Sequence, residues 1–433
     1  MGIMWDLIEH VRLPKMVKIR QNFEPEYIEN VEAAVAEQFQ SSEIANTIQP
    51  GMHIALAVGS RGIARIADIT RAVAQEVKAR GAIPFVVPAM GSHGGATADG
   101  QVQVLADLGV TEASIGCEIH SSMEVYDIGT FQIGETGDDV HVYFDKKAMD
   151  SDGVIPIARV KPHTCFRAPI ESGLCKMLTI GLGKQKGANA CHQRTFRYMY
   201  EMITKAAVMK LATGKILFGV ASVENAYDQV FAIRAVPAGK FLEADRELLV
   251  LARSKMAKVL FSPIDALVLR RSGKDISGDG YDPNVVGKPC SEFVPCDDPY
   301  VNKAAILDLT EATNGNASGV GTVEVITKRF LDKIDFRAVY ANAITTTGLS
   351  IARIPMVMEN DKEAIMTLVG ACNASRDVEA RMVIITDSLH VSEFYIAESM
   401  LAEARRNDHV EILSDPFELE FDEEGNLLLP IEG

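Results

Sequence analysis

No stretch of this sequence approaches the ~20 consecutive apolar residues that cross a bilayer as a helix, so no membrane partner is expected. The first ten residues place Asp6 and Glu9 early and lack a basic segment leading into an apolar one, so they do not read as a secretory signal. Positive charge is in deficit: 59 acidic side chains face 43 basic ones, a formal net charge of −16. Such a surface repels phosphodiester backbones and argues against nucleic acid as a partner. A small anion is still compatible with it, because a few local cations and backbone N–H groups suffice to hold one. The seven cysteines form no CxxC pair, a pattern of reduced thiols that suits a cytoplasmic protein. The phosphate-loop spacing GxxxxGK[ST] is absent as well.

What is present is an ordinary globular balance, 47% hydrophobic and 24% charged. A chain of 433 residues exceeds what one hydrophobic core usually serves. After a polar opening, with a helix expected over Val31 to Phe39, one unit recurs: apolar strand, small-residue loop, amphipathic helix. His53 to Val58, Ile83 to Val87 and Gly153 to Val160 read as strands. Ile66 to Arg80 and the segment from Thr97, a capping residue, to Leu108 read as helices, each followed by glycine. Tyr198 to Thr213 and Arg246 to Val259 also have helical spacing. A boundary then divides an N-terminal domain, 1–262, from a C-terminal one, 263–433. In the second, strands are expected at Ala266 to Arg270, Ala304 to Leu309, Ala338 to Ile344 and Met382 to Thr386, with helices at Lys362 to Cys372 and Val391 to Arg406. The expectation is two α/β domains with largely parallel sheets flanked by helices, and an active site in the cleft between them. Ligands gather at the carboxyl ends of such strands, where Arg61, His93 and His163 all fall.

His93 lies in Gly91-Ser92-His93-Gly94-Gly95. Flanking glycines admit unusual backbone angles and close approach of a ligand; an incidental histidine on a glycine-rich turn is the plainer reading. His163 follows Lys161-Pro162, and the proline stiffens its approach. A rigidly aimed imidazole suits proton transfer near neutral pH, while a helix-capping loop histidine is the alternative. Lys176 is set among Leu174, Cys175, Met177 and Leu178. It is either a buried amine available as nucleophile or covalent anchor, or a lysine that snorkels past an apolar patch. Lys184 and Lys186, among glycines, suit an anion or simply a solvated loop. His192 follows Cys191; one histidine makes no protein-only metal site, so it is either one ligand to a metal held mainly by something else or a core histidine.

Taken together, Arg61, His93, His163, Lys176 and His192 resemble, in identity and order, the nickel-dependent lactate racemases, whose cofactor is the nickel-pincer nucleotide. The resemblance implies that Arg61 binds the cofactor phosphate and that His93 and His163 are the acid–base pair. It implies that Lys176 joins the cofactor covalently through a thioamide and that His192 ligates nickel. Lys184 is a further candidate for holding the cofactor. The implied reaction is inversion at C2 of a 2-hydroxy acid, racemase or epimerase chemistry, with the C2 hydride passing to the cofactor and back. Enzymes that synthesise the cofactor are then partners. Leu174-Cys175 stand where the lactate enzymes have a glycine and an arginine, and the hydrogen-bonding groups of the loop Lys274 to Asn284 suit either a polyhydroxylated substrate such as a sugar acid or, the plainer reading, a turn-rich loop whose aspartates are solvated. Lys274 in that loop is the candidate for the substrate carboxylate. Two other readings remain: a metal-free lyase or dehydratase for hydroxy acids using His93 and His163, and a non-catalytic binding protein for a nucleotide or metabolite.

Overall fold

A computed structural model describes residues 5–60, 62–134, 137–193, 196–291, 293–294, 298–372 and 379–430. In chain order its strands are β1 (Met16–Gln21), β2 (His53–Val58), β3 (Ile83–Pro88), β4 (Val125–Ile133), β5 (Asp138–Asp145), β6 (Gly153–Arg159), β7 (Phe218–Glu224) and β8 (Val230–Pro237). They continue with β9 (Ile264–Leu269), β10 (Val301–Ile306), β11 (Val325–Thr327), β12 (Met356–Met358), β13 (Met382–Ile385), β14 (Glu393–Ala397) and β15 (Val410–Ile412). The chain divides into two compact units, Glu24–Met256 and a discontinuous one made of Met1–Phe23 and Ala257–Gly433.

In the first unit the sheet order is β3-β2-β6-β7-β8. Four strands are parallel and β8 closes the edge antiparallel. Alternation along the strands sends neighbours to opposite faces. Ala55, Ala57 and Val87 join one core cluster, beneath the helices Met199–Ala212 and Phe241–Lys255. Ile54, Leu56 and Val86 join the other, beneath Val31–Gln38 and Ile66–Ala79. Burying a valine, leucine or isoleucine side chain stabilises by about 1.5–3 kcal/mol, so both faces hold the sheet. A separate antiparallel hairpin, β4–β5, leads into β6.

The second unit has the sheet order β12-β11-β10-β9-β13-β14-β1-β15. The strands from β12 to β13 are parallel; β14, β1 and β15 add on antiparallel. The N-terminal segment therefore differs from the expected 1–262 domain: β1 lies between β14 and β15 in the other unit's sheet. Its hydrogen-bonding edges match strands nearly 400 residues away, which no local pattern reveals. Ala338 to Ile344 is not a strand but part of the helix Phe336–Thr346, started by Asp335, whose carboxylate accepts from the N–H groups of Arg337 and Ala338. Val391 to Arg406 is not one helix: β14 occupies its first half, where Phe394-Tyr395-Ile396 favours a pleated surface.

Both sheets share one device. From β2 the chain goes to β3 on one side and later returns to β6 on the other; from β9 it goes to β10 and later returns to β13. A topological switch point therefore lies between β2 and β6, and a second between β9 and β13, and crevices open at such points.

Candidate active site

The first unit's switch point gathers the loops that follow β2, β3 and β6. Ser60 closes the first. Arg61 lies outside the described residues. The loop beyond it is anchored by Glu224 at the end of β7, which accepts from the Ala64 N–H at 2.7 Å and pairs through its other oxygen with Arg159.

The loop after β3 carries His93. Gly91 and Gly94 adopt φ of +61° and +64°, a region L side chains avoid. A Cβ on Gly94 would lie 2.5 Å from the Gly100 carbonyl carbon, so the turn packs directly on the following helix. His93 is exposed, and its Nδ1 lies 2.5 Å from the Ser60 hydroxyl. Beneath the loop, buried Gln101 donates to the carbonyls of Gly91 at 2.9 Å and His93 at 3.3 Å.

The carbonyl oxygen of Gln101 accepts from Lys184 at 2.8 Å. Lys184 is fully buried; its ammonium also donates to the Pro88 carbonyl at 2.6 Å and lies 3.2 Å from the Asp145 carboxylate. This corrects the expectation of an anion-binding loop lysine. Its donors are spent on the protein, and it braces the His93 loop. Burial lowers the Lys184 pKa and raises that of Asp145, while their mutual attraction opposes both shifts. Lys186 is exposed, 6.0 Å from the centre of the Tyr143 ring.

The loop after β6 carries His163, half-buried against Phe166 with ring centres 4.5 Å apart. Its Nδ1 accepts from the Cys165 N–H at 3.0 Å, so the neutral ring carries its proton on Nε2. Glu171, fully buried, organises the loop: it accepts from the N–H groups of His163 at 2.6 Å and Ala168 at 2.9 Å, and from Arg253 at 2.5 Å. Strands β3 and β6 flank β2, so the starts of the two histidine loops are roughly 10 Å apart, two strand spacings.

Lys176 ends a short helical turn, Leu174–Lys176, and a π-helical turn, Met177–Gly181, follows. Such turns are frequent at functional sites. Buried Asp245 caps the entry, accepting from the N–H groups of Leu174 at 3.0 Å and Cys175 at 2.8 Å. A Cβ on Gly173 would fall 2.4 Å from that carboxylate. Lys176 is half-buried. His192 ends the next helix, Lys184–His192. Its ring centre is 6.5 Å from that of Phe196, which is 5.9 Å from that of His163, so one aromatic side chain joins the two histidines. Burial first, and the positive charge of Lys176 second, lower the His192 pKa to about 4 and keep its imidazole neutral.

The structure thus groups His93 with Ser60 and His163 with His192, and couples Lys176 electrostatically to His192. Lys274 belongs to the second unit; its side chain is exposed and its N–H donates to Thr313 at 3.0 Å. Ser60, Gln101, Glu171 and Asp245 escaped the sequence reading. Only Ser60 carried a signal, its place in the glycine-flanked loop beside Arg61.

The lactate racemase N-terminal domain family matches residues 7–202. No curated protein sequence matches the chain. Among solved structures, the lactate racemase apoprotein of Thermoanaerobacterium thermosaccharolyticum is similar at TM-score 0.52 and 13% identity, over 87% of this chain and 99% of that one. A protein of Thermotoga maritima is similar at TM-score 0.49 and 12% identity, over 82% of this chain and 86% of that one. At such identity the likeness to the apoprotein concerns the fold.

Proposed function

We propose, from the match of residues 7–202 to the lactate racemase N-terminal domain family, that the protein is a racemase or epimerase inverting C2 of a 2-hydroxy acid with a nickel-pincer nucleotide tethered to Lys176. The observation that carries this reading is that Phe196 joins His163 to His192, that Lys176 acts electrostatically on His192, and that His93 follows β3, two strands from β6 in the same sheet.

The residues present fit the cofactor. His192 is kept neutral by burial, the protonation state a metal ligand needs. His192 would be the chain's own ligand to the metal of the nucleotide, and an imidazole nitrogen suits Ni(II). Lys176 presents its amine from a capped turn. When bound, the group supplies an acceptor and donor for the C2 hydride.

The chain itself handles the proton. His93, with Ser60 at Nδ1, would take the hydroxyl proton through Nε2 and become the imidazolium, and His163, entering as the imidazolium, would return one on the opposite face. In the reverse direction the roles exchange, and each acid–base group is worth roughly 10²–10⁴-fold in rate. The polar loop from Lys274 to Asn284 supports a sugar acid as substrate, with Lys274 toward its carboxylate. A cytoplasmic protein supplied by cofactor-synthesis enzymes fits this reading.

The test is intact-mass spectrometry of the protein produced with those enzymes, paired with ¹H NMR in D₂O of 2-hydroxy acids. An adduct lost in Lys176→Ala, and inversion at C2 with little deuterium uptake, are expected. An adduct-free protein that turns over refutes the proposal, and full activity in Lys176→Ala selects the metal-free lyase instead.

A further inference from the structure

In a chain with 59 acidic residues, residues 336–358 include none; their only charges are Arg337 and Arg353. The same segment keeps large apolar side chains exposed. Phe336, Tyr340 and Ile344, one turn apart, form the outward stripe of the helix Phe336–Thr346, and the rings of the first two have centres 5.7 Å apart. The helix packs on the turn Leu349–Ala352, which leads into β12, where Met356 and Val357 are exposed. Ile344 and Leu349 are 68% and 66% exposed. Apolar side chains scattered singly over a surface need no account, but a run of them along consecutive elements marks a contact surface.

Strand β12 is also an edge. β11 lies on one side of it, and among the described residues no strand lies on the other. The Met356 N–H donates to the Glu324 carbonyl at 3.0 Å, on the β11 side. Backbone groups alternate in direction along a strand, so Val357 turns its N–H and C=O outward. An open edge is a template for another strand, and proteins commonly blunt it with charge on the strand itself. Met356–Met358 carries none. Charges stand instead beyond its two ends, Arg353 three residues before Met356 and Glu359 three residues after it. Both are exposed, and the Glu359 carboxylate makes a loose surface pair with Lys328 at 3.5 Å.

Such an edge complements itself. When two copies of β12 meet about a two-fold axis at Met356 they run antiparallel, and Arg353 of each faces Glu359 of the other. The Val357 N–H of each then reaches the Pro355 carbonyl of the other. We propose that this edge is a homodimer interface: β12 pairs with β12 of a second copy, the two eight-stranded sheets become one, and the apolar residues flanking the strand are covered. A net charge of −16 opposes contact between two copies over most of their surface. The segment without acids is where that opposition is weakest. No residue of the proposed active site takes part, so the dimer and the chemistry stand or fall separately.

Sedimentation equilibrium of the full-length chain across the micromolar range measures the association, and a reversible dimer is expected. Arg353→Glu sets like charges across the joint twice, by symmetry, and should raise the dimer Kd about tenfold or more. Adding Glu359→Arg to that variant should restore the dimer. Val357→Asp should leave a monomer, with circular dichroism melting to establish that it folds; Arg353→Glu, at an exposed position, serves if it does not. Met356→Cys should form a disulfide between two copies under mild oxidation, because directly opposed residues of a non-hydrogen-bonded pair have Cα atoms about 4.5 Å apart. The wild-type chain under the same oxidant controls for its own thiols. A wild type that stays monomeric throughout that range overturns the proposal and leaves the surface to a different partner. A dimer indifferent to Arg353→Glu and Val357→Asp, or one in which Met356→Cys forms no bond, overturns it as well.

Discussion

His93 and His163 are fixed at Nδ1 by different partners, a serine hydroxyl and a backbone N–H. The serine is replaceable, which makes the difference measurable. Ser60→Ala should lower kcat/KM about tenfold, the scale of one hydrogen bond to a reacting group, against roughly 10²–10⁴-fold for His93→Ala. Both directions must fall together, since the equilibrium constant fixes their ratio; an unchanged kcat/KM in Ser60→Ala would contradict the assignment. Lys210 gives a second prediction. It is fully buried, donates to the Leu178 carbonyl at 2.6 Å, and lies 5.2 Å from the centre of the Phe144 ring. Burial pulls its pKa down to about 7 from 10.5. Between those values the unfolded chain binds the proton and the folded chain does not, so stability rises with pH across that window and the cost of the buried charge is fully present below it. Urea unfolding at several pH values should show this rise in the wild type, with Lys210→Met lacking it. The two histidines were legible because glycine and proline mark their loops. Ser60 as a partner was not, because its proximity to His93 comes from the adjacency of β2 and β3.

Among the elements, the turn that presents Lys176 depends on a cap from a helix about seventy residues away. Asp245→Ala leaves two buried N–H groups unsatisfied, at about 1–3 kcal/mol each. The expected outcome is a lower melting temperature together with a loss of cofactor loading larger than the stability loss explains. Adduct formation equal to that of the wild type would deny Asp245 this positioning role. The Lys184–Asp145 pair lies beneath the His93 loop. Lys184→Met strands a buried carboxylate and should destabilise by about 3–5 kcal/mol, while the double variant with Asp145→Leu recovers much of that loss; chemical denaturation measures both. Helices with strong caps, such as Ala98–Asp107 behind Thr97, were plain in the sequence. The helix Phe336–Thr346 was misjudged because it buries only part of its surface: Phe336, Tyr340 and Ile344, spaced by four, are exposed and blur the apolar pattern.

For the molecule as a whole, both core clusters of the first unit draw only on residues between Val31 and Ala252. A 24–256 fragment should therefore fold cooperatively by itself, as circular dichroism and thermal melting would show. The complementary prediction is that a 24–433 chain has a weakened second unit, because removing β1 leaves β14 unpaired on one side and β15 without its partner. The sequence by itself determined the α/β alternation, the glycine- and proline-marked loops at strand ends, and the ordered set from Arg61 to His192, since each is written in neighbouring residues. Tertiary structure alone decided that Met16–Gln21 completes a distant sheet, that Lys184 is a buried brace, and that Met356–Met358 stands at that sheet's open edge. Those outcomes depend on hydrogen bonds and burial between segments remote in the chain, and local propensity carries no record of them.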